Sequence, residues 1–332
     1  MLRVGLLGAG RIGKVHASAI AAHPESVLAA VADIDPQVAD ALASAYGASS
    51  KTTDAILADD TIQAVLIASS TDTHADLIEA AAAAGKAVLC EKPVDLNLAR
   101  ARACQDAVTL ANVPVMVGLN RRFDVNFQTL KLALERGDIG KAELLSITSF
   151  DPSPPPIEYI KVSGGLFRDM MIHDFDTAHF LFGAMPETVS AVGSSLVDPE
   201  IGEAGDVDTA VATLRYSDGR IAVIKNSRRA AFGYDQRVEV LGAEGMLQAQ
   251  NISENSVVTS TSDGITAAKP MHFFLERYAG AYAAEWAAFM DSVLNNAPVP
   301  VTLTDGVAAL AVAEAATISA REGRPVNLLE VE

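Results

Sequence analysis

The first 120 residues alternate short, continuously apolar runs with longer Ala-rich stretches. The apolar runs predict strands over 2–7, 27–32, 64–68, 87–90 and 115–118, and the stretches between them predict helices over 12–22, 36–46, 72–84 and 97–110. Continuous apolar strands alternating with helices are the pattern of a parallel sheet covered on both faces. Past residue 120 the rhythm changes. A helix over 127–136 leads into a strand over 143–149, and Pro152, Pro154, Pro155 and Pro156 then forbid regular structure. Segments 209–216 and 220–227 flank the turn Ser217-Asp218-Gly219, and 236–241 and 246–249 flank 242–245, which reads as two hairpins of an antiparallel sheet. Helices over 274–295 and 305–322 close the chain, the second with Thr304 as its N-cap and Gly323 as its stop. The fold class expected is α/β: a Rossmann dinucleotide-binding domain over 1–120, then an α+β domain over 121–332 with a largely antiparallel open sheet.

The glycines give the first domain a chemistry. The first strand runs into Gly8-Ala9-Gly10-Arg11-Ile12-Gly13, where Gly8 permits a tight turn, Gly10 lets backbone approach a pyrophosphate and Gly13 permits close helix packing. The helix N-terminus offers amide donors and positive potential to phosphates. Asp33 ends the second strand, about 20 residues further on, where a carboxylate accepts hydrogen bonds from the adenosine ribose hydroxyls and repels a 2′-phosphate, which favours NAD over NADP. The alternative is a helix cap ahead of Pro36, a role that Asp35 can also fill.

Composition narrows the partners. A formal charge of −17 opposes binding to nucleic acid or to anionic membranes and favours a small, neutral substrate. No run reaches the roughly 20 apolar residues of a membrane span. Two cysteines, Cys90 and Cys104, are too few for a disulfide framework, so a reducing, cytoplasmic setting is expected.

Two further segments carry candidate catalytic groups. Lys92, in Cys90-Glu91-Lys92-Pro93, emerges at the carboxyl edge of the sheet, where an ammonium can bond a reacting oxygen; the plain reading is a surface lysine. Asp169 and His173 sit four residues apart, on one face if Asp169 opens a helix. Oxidising an alcohol removes a hydride and a proton, and imidazole is suited to take the proton near neutrality while a carboxylate orients it. A capping Asp with a core His is the structural alternative, and a metal site from His173, Asp176 and His179 a third, disfavoured because that spacing rotates the side chains apart.

With the Gly8–Gly13 loop, Glu91-Lys92-Pro93, Gly118-Leu119-Asn120-Arg121-Arg122-Phe123 and Asp169-x-x-x-His173 in this order, the chain resembles the glucose-fructose oxidoreductase, inositol dehydrogenase and rhizopine-catabolism (Gfo/Idh/MocA) family over essentially its whole length. Residues 164–176 and 232–237 are most similar to its inositol-oxidising members. The resemblance implies NAD-dependent oxidation of an inositol, foremost myo-inositol to 2-keto-myo-inositol (scyllo-inosose), without a metal. It makes His173 the general base, Asp169 its orienting partner and Lys92 the group at the substrate hydroxyl. It assigns Gly8, Gly10, Arg11, Ile12, Gly13, Asp33, Ser69, Thr71, His74, Glu91 and Lys92 to the cofactor, the alternative for the Ser69–His74 loop being a Thr71 or Asp72 helix cap with a solvated His74. It assigns Asn120, Arg122 and Tyr234 with the catalytic three to the substrate, the alternative for Tyr234 being a core or interface tyrosine. A cis Lys92–Pro93 peptide and a homotetramer formed through the second domain's sheet are also implied. Other readings are scyllo-inositol or aldose oxidation, a metal-dependent polyol dehydrogenase and a non-catalytic NAD-binding sensor. Phe150 stands where many similar sequences carry Arg, which removes a fork of donors and leaves the substrate less defined than the reaction.

Overall fold

The computed structural model describes residues 1–331; Glu332, the last residue of the expected second domain, lies outside the described residues. The chain forms two compact units, Met1–Phe123 with Gly280–Ala308, and Asp124–Ala279 with the chain from Ala309 onward. The expected division at 120/121 therefore misses the return of residues 280–308 to the first unit.

The first unit is a six-stranded parallel sheet in the order β3-β2-β1-β4-β5-β6, from β1 (Leu2–Leu7), β2 (Ser26–Ala32), β3 (Ser49–Ser50), β4 (Ala64–Ile67), β5 (Ala87–Glu91) and β6 (Val115–Gly118). Its helices are α1 (Arg11–Ala22), α2 (Pro36–Tyr46), α3 (Thr53–Leu57), α4 (His74–Ala83) and α5 (Leu98–Thr109). Every residue of β4 and β5 is buried, which explains why these strands read as unbroken apolar runs. The strand order reverses between β1 and β4, the topological switch point where such sheets bind ligands. Local caps set the helix starts: Asp35 accepts from the Gln37 amide, and Asn97 from that of Arg100.

The second unit is a seven-stranded mixed sheet, ordered β12-β11-β7-β10-β9-β8-β15. Its strands are β7 (Ala142–Phe150), β8 (Thr188–Ser194), β9 (Thr209–Arg215), β10 (Ile221–Ser227), β11 (Asp235–Gly242), β12 (Gly245–Ala249) and β15 (Val326–Asn327), with β13 (Val258–Thr261) and β14 (Gly264–Ala267) as a separate exposed hairpin. Both expected hairpins form, β9–β10 and β11–β12, while β7 and β10 pair in parallel. The helices are α6 (Val125–Arg136), α7 (Ile157–Ile160), α8 (Leu166–Asp169), α9 (Ile172–Phe182), α10 (Pro199–Glu203) and α11 (Phe274–Arg277). After them α12 (Ala279–Leu294) lies almost wholly in the first unit, and α13 (Leu303–Glu322) begins in the first unit and continues into the second from Ala309.

Three expectations are corrected. The helix expected over 274–295 is broken at Tyr278, whose backbone leaves the helical region while its hydroxyl donates to Gln236 Oε1 at 3.3 Å. The α13 start is set by Thr302, not Thr304: the Asp305 amide donates to Thr302 Oγ1 and the Thr302 amide to Asp305 Oδ2, a reciprocal cap, while Thr304 Oγ1 accepts from Gln105. By length and composition α13 could cross a membrane, contrary to the sequence expectation, but 61% of its apolar window is buried inside the protein, as in a core helix.

Candidate active site

The glycine loop meets three separate demands. Gly8 sits at φ +103°, and a Cβ there would lie 2.5 Å from the backbone of Ala68 and Ser69. A Cβ on Gly13 would lie 2.1 Å from the Gly8 carbonyl oxygen, whereas one on Gly10 would meet nothing within 4 Å. Backbone closeness thus excludes side chains at the first and third positions, and the second leaves room for a phosphate to approach. Helix α1 begins at Arg11, followed by half-buried Ile12, with no side chain capping its first amides, which leaves them to an anion. Asp33 is fixed from both sides: Oδ2 accepts from the Ala9 amide at 2.7 Å and Oδ1 from the Asp35 amide at 3.0 Å. This donor and acceptor set fits a dinucleotide.

The end of β5 is held by buried groups. Glu91 Oε1 bonds His16 Nε2 at 2.7 Å and Glu91 Oε2 accepts from the Lys92 amide at 3.3 Å; the Lys92–Pro93 peptide is cis. His74 is neither solvated nor free to reach a ligand, because Nδ1 faces the Pro93 carbonyl at 2.8 Å and Nε2 the Ser69 carbonyl at 3.1 Å. Ser69 and Thr73 share a hydroxyl contact at 2.7 Å, and Thr71 opens a 3₁₀ turn over Thr71–Thr73 where a continuous helix was expected. His16 was missed in the sequence, although its place on the buried stripe Gly13, His16, Ala17, Ile20 was a signal that its ring is not solvated.

Glu285 is wholly buried in the segment that returns to this unit, and neither of its carboxyl oxygens has a hydrogen-bond partner. Burial, with the charge of Glu91 added, pushes its carboxyl well above the ordinary value of 4.5. Above that pH the unfolded chain ionises this acid and the folded protein does not, so the native state binds the extra proton. Its contribution is fully present below pH 4.5 and is lost as pH rises towards the folded pKa. Glu285→Gln, neutral throughout, is therefore expected to gain stability over the parent between pH 5 and pH 8 in guanidinium unfolding. A difference that is the same at both pH values contradicts the buried neutral acid.

In the second unit, Asp169 and His173 do not lie on one regular helix. Asp169 ends α8 and His173 lies in the first turn of α9; the Met171 amide reaches back five residues to the Leu166 carbonyl at 2.9 Å, which inserts an extra residue into the turn. The two residues are therefore not one regular helical turn apart, as was expected from their spacing. Asp169 Oδ1 accepts from the Tyr159 hydroxyl at 2.8 Å, and Oδ2 lies 3.4 Å from the buried Arg228 guanidinium, which also faces Asp206 at 3.8 Å. The α9 backbone is pinned beside His173 by Asp174, which accepts from Ser149 Oγ at 2.6 Å and Asn226 Nδ2 at 2.7 Å. Among the described residues no group of three or more His, Cys, Asp or Glu is arranged to hold a metal.

Asn120, Arg122 and Tyr234, the remaining expected residues, are all buried. Arg122 pairs with Asp305 at 2.9 Å within the first unit. Tyr234 is buried edge-on against Phe273 and Tyr278, at 6.4 and 6.0 Å between ring centres.

Residues 2–119 match the family described as "Oxidoreductase family, NAD-binding Rossmann fold", and residues 131–328 the one described as "Oxidoreductase family, C-terminal alpha/beta domain". An inositol 2-dehydrogenase of Rhizobium meliloti is 49% identical over 98% of this chain and 99% of its own length. A myo-inositol 2-dehydrogenase of Thermotoga maritima is 45% identical over 99% of both. The structure of scyllo-inositol dehydrogenase from Lactobacillus casei with bound NAD(H) and scyllo-inositol superposes with a TM-score of 0.92, at 31% identity and 99% coverage of each chain.

Proposed function

The chain belongs to the Gfo/Idh/MocA oxidoreductase family, and on that premise we propose that it oxidises a ring hydroxyl of an inositol, foremost myo-inositol to 2-keto-myo-inositol. The observation that carries this reading is the likeness to inositol 2-dehydrogenases over 98% or more of this chain and 99% of theirs. NAD, when bound, supplies the hydride acceptor. The amides of the glycine loop and the start of α1 hold its phosphates, and Asp33 holds the adenosine ribose. His173 accepts the proton of the reacting hydroxyl, so that the carbon gives up one hydride and the oxygen one proton, leaving a ketone. Asp169, kept in place by Tyr159 and Arg228, supplies the negative charge that favours the imidazolium. The Lys92 ammonium stabilises the developing oxyanion.

The test is nicotinamide reduction by the purified protein with NAD or NADP on myo-inositol, scyllo-inositol, chiro-inositol, glucose and xylose. NAD-dependent turnover of myo-inositol supports the reading. Turnover of another member alone keeps the chemistry and replaces the substrate, chelator-sensitive turnover favours a metal enzyme, and NAD binding without turnover favours a sensor.

We propose further that the chain forms a homotetramer through the second unit's sheet, a reading supported by exposed apolar side chains there. Met246, Leu241, Leu144 and Ile221 are register neighbours across β12, β11, β7 and β10, and Val211 pairs with Val192 across β9 and β8; all six are exposed. The first four form one row across four strands, and the Val211–Val192 pair is a separate patch, because Ile221 is opposite Arg215 and Val211 opposite Lys225; an exposed apolar row supports an interface. Leu144→Glu is expected to lower the mass measured by light scattering from tetramer to a smaller species, and an unchanged tetramer would remove the sheet from the interface.

A further inference from the structure

Two buried histidines grip the backbone on either side of Lys92. His16 (0% exposed), on the helix that follows the glycine loop, holds the Glu91 carboxylate at 2.7 Å, and the other oxygen of that carboxylate receives the Lys92 amide. His74 (1% exposed), the first residue of α4, sets Nδ1 2.8 Å from the Pro93 carbonyl and Nε2 3.1 Å from the Ser69 carbonyl, and the tautomer with its N–H on Nδ1 donates to Pro93. The residue before Lys92 is therefore tied to the middle of α1 and the residue after it to the first turn of α4. Each of those helices follows one of the two loops at the sheet edge, 8–10 and 68–73. The His16 ring is itself wedged edge-on by Tyr282, at 5.4 Å between ring centres, so it cannot swing away from Glu91 without displacing the returning segment.

We infer that His16 and His74 are positioning residues for Lys92: together they clamp Glu91 and Pro93 so that the lysine leaves the sheet edge in one fixed direction relative to the glycine loop. This rests on the reading of Lys92 as a catalytic group. An ammonium on a four-carbon stem has little directional preference of its own, and an error of about 1 Å in the placement of a catalytic group costs on the order of 10²-fold in rate. Holding the backbone at both flanks removes that error without a side-chain contact to the lysine. Neither histidine touches a reacting atom in this scheme.

The experiment compares His16→Phe, which keeps the ring but loses the donor, with His16→Gln, whose amide nitrogen reaches as far as imidazole Nε2. It likewise compares His74→Leu with His74→Asn, which retains a donor for Pro93. Readouts are kcat, KM, NADH affinity by fluorescence and melting temperature, with Lys92→Ala as reference and each histidine variant repeated in the Lys92→Ala background. Expected are a fall in kcat of about 10- to 100-fold for His16→Phe and His74→Leu, recovery to within about threefold in the polar variants, and NADH affinity within about threefold of the parent throughout. In the Lys92→Ala background the same substitutions should lower kcat no further, since their effect passes through the missing ammonium. Equal losses with and without Lys92 overturn the proposal in favour of a merely structural role, as does full kcat in folded His16→Phe and His74→Leu. If Lys92→Ala alone keeps full kcat, it is the catalytic reading of Lys92 that fails. Should His74→Leu not fold, the His16 pair decides by the same criteria.

Discussion

His173→Ala is expected to lower kcat for inositol oxidation by about 10³-fold while leaving NADH affinity within about twofold of the parent. The size follows from the step removed: a positioned base that takes the hydroxyl proton as the carbon loses its hydride contributes about 10²- to 10⁴-fold, and no other imidazole is assigned to that proton. Of the other histidines, His16 and His74 have their rings turned to Glu91 and to backbone carbonyls. The unchanged NADH affinity follows from the division of labour, because every feature that fits the dinucleotide lies in the first unit and His173 in the second. A pH signature separates loss of the base from loss of the fold. With the imidazole gone the proton leaves to solvent base, so the residual rate should climb with pH through the range in which the parent is flat. A variant within tenfold of parent kcat would remove His173 from the reaction and leave Lys92 as the candidate proton acceptor.

What the sequence disclosed was local. The glycine loop, Asp33, the Asp35 cap and the apolar runs of β1, β4 and β5 each declare themselves within about 20 residues, because tight turns, helix caps and buried strands are decided by near neighbours. What it concealed depends on distant partners. His16 meets Glu91 75 residues away, and nothing around either residue announces the pairing. The return of 280–308 is an Ala-rich apolar segment that reads the same whichever core it joins. The extra residue between Asp169 and His173 was invisible for another reason: no glycine or proline between them marks a break, so a helix opened at Asp169 would run through them unbroken. The hairpin Val258–Ala267 is exposed on both faces and so lacks the alternation by which β9 and β10 were found.

Asp33→Asn is expected to cut kcat/KM for NAD by about 10- to 100-fold and to raise the ratio of NADP to NAD activity by at least as much. Both oxygens of the carboxylate already accept backbone amides, from Ala9 and Asp35, so the side chain is held in one orientation by the glycine loop itself. A ribose bound as proposed would donate its hydroxyls to the remaining lone pairs, and a 2′-phosphate there would meet the carboxylate charge. Asparagine retains one acceptor and loses the charge. One charge-assisted hydrogen bond, worth about 1.5–3 kcal/mol, is then weakened for NAD, which corresponds to about 10- to 100-fold, while the repulsion of a 2′-phosphate disappears for NADP. The two effects act in opposite directions on the two cofactors, so their ratio moves further than either rate. Steady-state kinetics with both cofactors at saturating myo-inositol measures this directly. A parallel loss for NAD and NADP would mean that Asp33 serves only to hold the Ala9 amide, and that selection at the 2′ position comes from elsewhere in the loop.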